Sequence, residues 1–169
     1  MVHLEYLKRL FLTSVQGGGS FGQEKLESLS GTGVVKLNGT EIENQLQITG
    51  SLLARDAEIA FLDILGEANL TGSHVKEEGN VLGQIQAVQT TFEKPLTILS
   101  QRAIFTESKL KKIVVKQDCA YRGKQIIELR RRTIVDGSIH FESGKGEVQI
   151  FPGSQVLGLI SGGKVVKKH

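Results

Sequence analysis

The chain has 169 residues and a mass of 18.4 kDa, enough for one domain with a substantial core and too little for two complete domains. Hydrophobic residues make up 39% and charged residues 23%, which excludes a wholly disordered chain, and no apolar run reaches the length of a membrane-spanning helix. Twenty glycines against two prolines indicate many tight backbone positions, because glycine averages about 7% of residues in soluble domains.

The N-terminal segment, residues 1–14, has the spacing of a short amphipathic helix, with Leu4, Leu7, Leu10 and Phe11 three or four residues apart. We expect it to cap the domain that follows; contact with a membrane surface or a partner is the alternative. Its apolar run is too short for a signal-peptide core. The expectation is therefore a cytoplasmic protein, open to membrane association, or a bacterial envelope protein if an export signal lies outside this sequence.

A repeat of 16 to 17 residues dominates the middle of the chain. Within one unit, apolar and polar residues alternate with the period of a strand that buries one face. The alignment predicts four stacked columns of apolar side chains. They are Ile48, Ile64, Val81, Ile98 and Val115; Leu46, Leu62, Gly79, Leu96 and Ile113; Ala54, Leu70, Ala87 and Ile104; and Ile59, Val75 and Phe92, followed by Lys109 beside Leu110 where the register slips.

A unit this short cannot bury its own apolar face and must stack on its neighbours, which predicts a β-solenoid. The expected fold is all-β, a single-stranded and three-faced coil. A right-handed coil is favoured because the strict six-residue period of left-handed helices fails after two steps from Ile48. The domain is expected to span residues 15–166, with an inserted loop near 117–125 and a tail at 167–169.

The repeat also resembles a known family. Units such as Ile48-Thr-Gly-Ser-Leu52 and Val135-Asp-Gly-Ser-Ile139, closing with Val156-Leu-Gly158, are similar to those of the bactofilin-like, polymer-forming bacterial β-solenoid proteins. The resemblance covers roughly residues 30–166 and implies a non-enzymatic scaffold that associates end to end with copies of itself, without nucleotide. A solenoid end exposes unpaired strand edges. The candidate self-association residues in the last coil are Val156, Leu157, Leu159 and Ile160.

Positive charge is concentrated in one segment, residues 109–132, which holds nine basic and two acidic side chains. Clustered Lys and Arg attract anionic partners, so the second hypothesis is a binding module for an anionic glycan, a lipid or an acidic protein. Specific nucleic-acid binding is not expected, because only Tyr121 supplies an aromatic ring nearby. The candidate contact residues are Lys109, Lys111, Lys112, Lys116, Arg130, Arg131 and Arg132.

Motifs that would indicate catalysis are weak. Gly17–Gly22 matches a dinucleotide-binding pattern but lacks the strand-and-helix context that pattern needs. The four histidines are scattered, and Cys119 is a lone thiol without an evident base. Asp56, Glu58 and Asp63 could serve a polysaccharide-acting β-helix enzyme, the third hypothesis, although Asp63 does not share the strand face of the other two. We expect no enzymatic activity, no cofactor and no metal.

Overall fold

The computed structural model of the protein describes residues 13–169. It shows an all-β, single-stranded β-solenoid with no helix in the described part of the chain. The predicted N-terminal helix falls outside the described residues, apart from Thr13 and Ser14, which belong to the first strand.

The chain forms twenty strands, and every strand pairs in parallel with strands one coil away. The strands are β1 (Thr13–Gln16), β2 (Gly19–Phe21), β3 (Lys25–Leu26), β4 (Leu29–Asn38), β5 (Glu41–Arg55), β6 (Glu58–Thr71), β7 (His74–Val75), β8 (Gly79–Val88), β9 (Thr91–Phe92), β10 (Leu96–Leu99), β11 (Arg102–Thr106), β12 (Lys109–Leu110), β13 (Ile113–Val115), β14 (Gln125–Arg130), β15 (Ile134–Val135), β16 (Ile139–Phe141), β17 (Gly146–Ile150), β18 (Gln155–Val156), β19 (Ile160–Ser161) and β20 (Gly163–Lys167).

The pairings arrange these strands in three columns, which we call faces 1, 2 and 3 in the order that the chain visits them. Face 1 defines nine coils, which start at Thr13, Leu29, Leu46, Leu62, Gly79, Leu96, Ile113, Ile139 and Ile160. Face 2 runs from β2 to β20 and face 3 from β3 to β18. At about 4.8 Å per coil, the solenoid is a rod about 40 Å long.

The core is a set of apolar ladders inside the rod, and the predicted ladder of Ile48, Ile64, Val81, Ile98 and Val115 is confirmed. Successive members pair directly, and each is at most 1% exposed. The prediction for Ile104 is wrong. Phe105 pairs with Ala87, because the turn before β11 contains one residue more than the turn in the preceding coil.

In the regular coils, a single glycine turns the chain from face 1 to face 2. Gly33, Gly50, Gly66 and Gly83 stack in register with φ between +101° and +139°, a region that residues with a Cβ rarely enter. A Cβ on Gly66 would overlap the carbonyl oxygen of Gly50 in the coil before it. This corner therefore accepts only glycine while neighbouring coils keep the same turn.

The turn from face 2 to face 3 is stabilised by buried hydroxyl groups, which the sequence reasoning missed. The Thr90 hydroxyl oxygen accepts the backbone N–H of Ser73 at 3.4 Å, and the Ser108 hydroxyl accepts the N–H of Thr90 at 3.2 Å. The same contact joins Ala57 to Ser73 and Ser108 to Thr133. Each hydroxyl oxygen thus satisfies a donor of the preceding coil that would otherwise be buried without a partner.

Candidate functional site

Coil 9, the last coil of the described residues, has strand edges and apolar side chains at its surface. Among the described residues, β18, β19 and β20 pair only with the coil before them. Of the four candidate self-association residues, Val156 and Ile160 are partly buried and pack on the core, whereas Leu157 is 59% and Leu159 is 75% exposed. Val165 of β20, which continues the inward column of face 2, is 46% exposed.

The seven candidate basic residues are distributed around the rod and do not share one face. Lys109 lies on face 3, and Lys116 follows the face 1 strand β13. Arg130 ends β14 on face 2 and pairs with Thr106, so Arg130–Arg132 do not stack on the 109–116 segment. Lys111 and Lys112 occupy the turn from face 3 to face 1.

Carboxylates of the same domain already pair with four of these seven residues. Lys116 Nζ lies 3.2 Å from Glu142, Lys111 Nζ 3.8 Å from Asp136, and Arg132 Nη2 3.9 Å from Glu107. Arg130 pairs with Glu128 at 2.6 Å and also places its guanidinium 4.7 Å above the Phe151 ring. Among the described residues, Lys109, Lys112 and Arg131 have no such ion pair, and they are too dispersed to form one compact site.

The Glu128 carboxylate, on the outward side of face 2, is buried beneath two arginines. Arg102 Nε donates to one carboxylate oxygen at 2.6 Å, and Arg130 Nη2 donates to the other at 2.6 Å, leaving the side chain 1% exposed. Burial alone would raise the pKa of Glu128. The hydrogen bonds from Arg130 and Arg102 outweigh it and lower the pKa, so the group is ionised at neutral pH.

Three lysines outside the candidate set converge over the turn between faces 1 and 2 in coils 7–9. Lys124, Lys145 and Lys164 line a cleft of about 510 Å³ whose floor is glycine backbone. The mostly buried Glu147 lies 3.2 Å from Lys124 Nζ and 3.7 Å from Lys164 Nζ. Hydrogen bonds from Gln149 and Lys124 lower the pKa of Glu147, so the cluster keeps one negative and three positive charges.

Face 1 carries an apolar column on its outer surface that the sequence reasoning also missed. Leu65, Leu82 and Leu99 stack in register, one residue after the buried ladder, and Leu65 and Leu82 are 53% and 42% exposed. Phe61, at the start of the same face, is 41% exposed. The signal was present in the sequence, because the three leucines recur every 17 residues at positions that alternation assigns to solvent.

The inserted segment 116–124 connects β13 to β14 and folds back beside this column. Its Asp118 and Tyr121 line a groove of about 400 Å³ together with Leu82 and Leu99. Tyr121 donates its hydroxyl proton to the Lys124 carbonyl at 3.0 Å, which closes the loop on itself. The exposed Cys119 lies in the same loop.

Within residues 13–169, no group of three His, Cys, Asp or Glu side chains is placed to hold a metal ion. No helix in that range is long and apolar enough to cross a membrane. Comparison of the chain with models of protein families, with curated proteins and with solved structures finds no match. Inference about function therefore rests on the surfaces described above.

Proposed function

We propose that the protein is a non-enzymatic structural scaffold that assembles through the ends of its solenoid, as bactofilin-like polymer-forming proteins do. The observation that carries the proposal is the exposed C-terminal coil. Within residues 13–169, three parallel strands there have one edge without a paired strand, next to Leu157 and Leu159. Such edges pair readily with another chain, and apolar side chains add the hydrophobic contribution.

The charge distribution supports head-to-tail contact over contact between two like ends, with the expected cap of residues 1–14 displaced from the edge of coil 1. Coils 1–3 (residues 13–61) carry six acidic and three basic side chains, coils 4–6 (residues 62–112) carry six of each, and coils 7–9 (residues 113–169) carry five acidic and ten basic. The net charges are −3, 0 and +5. The positive end of one rod is thus attracted to the negative end of the next, and repeated contacts of this kind form a filament.

Sedimentation velocity and electron microscopy of the full chain over a micromolar to millimolar range test end-to-end assembly. We expect species longer than one rod, and we expect Leu159→Asp to reduce them by placing a charge at the terminal coil. Leu53→Asp, at an exposed position on face 2, is the matched control and should assemble normally. A wild-type protein that forms no longer species, or equal losses in both variants, would contradict the proposal.

The second candidate function is binding of an anionic ligand, and the lysine cleft of coils 7–9 is the observation that favours it. The cleft brings Lys124, Lys145 and Lys164 to one place, whereas the seven candidate basic residues are distributed around the rod. Titration with polyphosphate at increasing salt tests it, because each neutralised phosphate releases counterions and the affinity should fall steeply. Lys145→Glu should weaken such binding more than Lys109→Glu.

A further inference from the structure

We propose that the outer surface of face 2 in coils 1–4 binds an acidic oligosaccharide, a short glycan whose sugars carry carboxylate groups. This site is separate from the end-to-end contact and from the lysine cleft proposed above, and it depends on neither of them. Three properties of its own side chains support it. They are two basic residues without an ion pair among residues 13–169, a lining of amide and hydroxyl groups, and a width that fits one glycan chain.

A groove of about 610 Å³ runs along the rod between two outward columns of face 2. The columns are formed by residues that pair in register from coil to coil. One column holds Ser20, Lys36, Leu53 and Asn69, and the other holds Asn38, Arg55 and Thr71. The columns are two residues apart along each strand, so the groove is about 7 Å wide and, over four coils, about 14 Å long. Its volume is typical of sites for small ligands.

Two basic side chains lie diagonally across this groove. Lys36 belongs to one wall in coil 2 and Arg55 to the other wall in coil 3, with Cα atoms about 8 Å apart. Both are exposed, and within the described part of the chain neither forms an ion pair. The other two basic residues of coils 1–4, Lys25 and Lys76, lie on the face 3 side and pair with glutamates. The positive charges in the groove are therefore available to a ligand.

The acidic side chains of coils 1–4 lie away from the groove. These coils, residues 13–78, carry ten acidic and four basic residues, yet only Glu67 among the ten belongs to face 2. Glu67 lies in a third column, nearer face 1, and accepts a hydrogen bond from Asn69 Nδ2 at 3.0 Å. Asp56 follows Arg55 at the turn to face 3, where its carboxylate lies beside Gly72. The groove is thus a positive surface in an otherwise negative part of the rod.

The lining has the chemistry that a carboxylated sugar requires. Arg55 can donate two parallel hydrogen bonds to one carboxylate, and Lys36 adds a second positive charge. The amides of Asn38 and Asn69 both donate and accept hydrogen bonds, as sugar hydroxyls do. Leu53, between them, is 40% exposed and can pack on the nonpolar face of a sugar ring. The two columns contain no aromatic ring on which a base would stack, so a glycan is favoured over a nucleic acid.

The spacing of the coils determines how the glycan lies. Neighbouring residues of a column are about 4.8 Å apart along the rod, close to the length that one ring adds to an extended β-linked glycan. A glycan along the groove therefore presents one sugar to each coil, and the four coils accommodate about four sugars. An acidic peptide fits less well. Strands β4, β5 and β6 are paired on both sides, so this surface offers a peptide side chains but no strand edge.

Binding of a fluorescently labelled tetrasaccharide of β-1,4-linked mannuronate to the full chain, followed by fluorescence anisotropy, tests the site. Arg55→Gln and Lys36→Gln should each weaken binding about tenfold, because each removes a hydrogen bond to a charged group. Lys25→Gln removes the same charge from face 3 of coil 1 and is the matched control, which should bind as the wild type does. Glu67→Gln should tighten binding, since it removes the nearest negative charge on face 2. The same tetrasaccharide with its carboxyl groups reduced should bind about tenfold more weakly or less.

Several results would overturn the proposal. One is a wild-type chain that does not bind the tetrasaccharide, and another is an equal loss in Arg55→Gln and Lys25→Gln, which would indicate attraction by overall charge. Equal binding of a polyglutamate would assign the groove to acidic polypeptides. Loss of binding in Lys145→Glu but not in Arg55→Gln would place the glycan in the lysine cleft. The substituted side chains are exposed, so each variant should keep the wild-type melting temperature. Sedimentation velocity reports end-to-end assembly independently of all these results.

Discussion

Coils 2–5 and coils 6–9 differ in how the chain turns from face 1 to face 2. In coils 2–5 one glycine makes the turn, so that β4, β5, β6 and β8 run unbroken across both faces. In coils 6–9 the turn takes Ser100–Gln101, residues 116–124, residues 142–145 and Gly162, and the strands of the two faces are separate. Coil 7 accordingly has 26 residues and coil 8 has 21, whereas earlier coils have 16 or 17.

The difference shows that the glycine corner of one coil depends on the turns made by the coils next to it. A Cβ at Gly66 or Gly83 would overlap the glycine carbonyl of the coil before it. The corner therefore persists while each coil supplies glycine. Coil 6 turns with Ser100–Gln101 instead of one glycine, and the turns of coils 7 and 8 that follow it are longer.

The largest effect on stability is expected inside the regular half. Ile64→Asp would place a charge in a ladder where the side chain is fully buried, at a cost of about 5 kcal/mol or more, and should unfold the domain. Glu67→Lys, on the outer surface of the same strand, should change the free energy of unfolding by less than ~0.5 kcal/mol. Thermal unfolding of both variants measures the contrast. Equal melting temperatures would refute the ladder.

A smaller effect tests the corner itself. Gly66→Ala combines a positive φ with overlap on the Gly50 carbonyl and should cost about 3 kcal/mol. Gly144→Ala, in the open turn of coil 8, has a positive φ but no neighbour within 4 Å and should cost about 1 kcal/mol. Denaturant unfolding measures both values. Equal losses of unfolding free energy in the two variants would mean that the positive φ alone, and not overlap with the Gly50 carbonyl, restricts position 66 to glycine.

The irregular half should respond to charge instead. Glu128→Gln keeps the shape but removes the negative charge beneath Arg102 and Arg130, and should cost about 2 kcal/mol at pH 7. Glu142→Gln, which affects a more exposed ion pair with Lys116, should cost less than ~1 kcal/mol. Urea unfolding at pH 7 compares the two, and equal losses would contradict a special role for the buried carboxylate.

The contribution of Glu128 to the stability of the fold also depends on pH, in a direction that follows from its pKa. The pKa of Glu128 is lower in the folded protein than in the unfolded chain, so unfolding takes up a proton at pH values between the two. Its stabilisation is complete above the pKa of the unfolded state and is lost as the pH falls through the folded pKa. The difference between wild type and Glu128→Gln should therefore shrink on acidification. A constant difference from pH 7 to pH 3 would refute this.

The apolar ladders were predictable from sequence because strand alternation and a constant period act together. Ile48, Ile64 and Val81 obey both, and their pairing follows. The prediction failed at Ile104, where one added residue in the preceding turn shifts the column to Phe105. Period alone cannot locate such a shift, since Ile104 and Phe105 are both apolar and either could face the core.

Surface features were less predictable, for two physical reasons. The dispersal of Lys109–Lys116 and Arg130–Arg132 depends on where the 116–124 segment leaves the coil, which composition does not specify. The burial of Glu128 requires arginines from β11 and β14, which come together only through the pairing of those strands. The Leu65 column, in contrast, could be predicted from the 17-residue period. A single outward leucine is common on protein surfaces, so it does not by itself indicate a contact.

The hydroxyl contacts at the turn from face 2 to face 3 make the joint between successive coils interchangeable. Each of coils 4–7 offers a backbone N–H to the coil after it and a hydroxyl oxygen to the coil before it, as Thr90 does between Ser73 and Ser108. Removal of coil 5, residues 79–95, would bring the hydroxyl of Ser108 to the N–H of Ser73 and restore the same joint. The length of the rod can therefore change by whole coils through duplication or deletion in the gene, without redesign of the remaining joints.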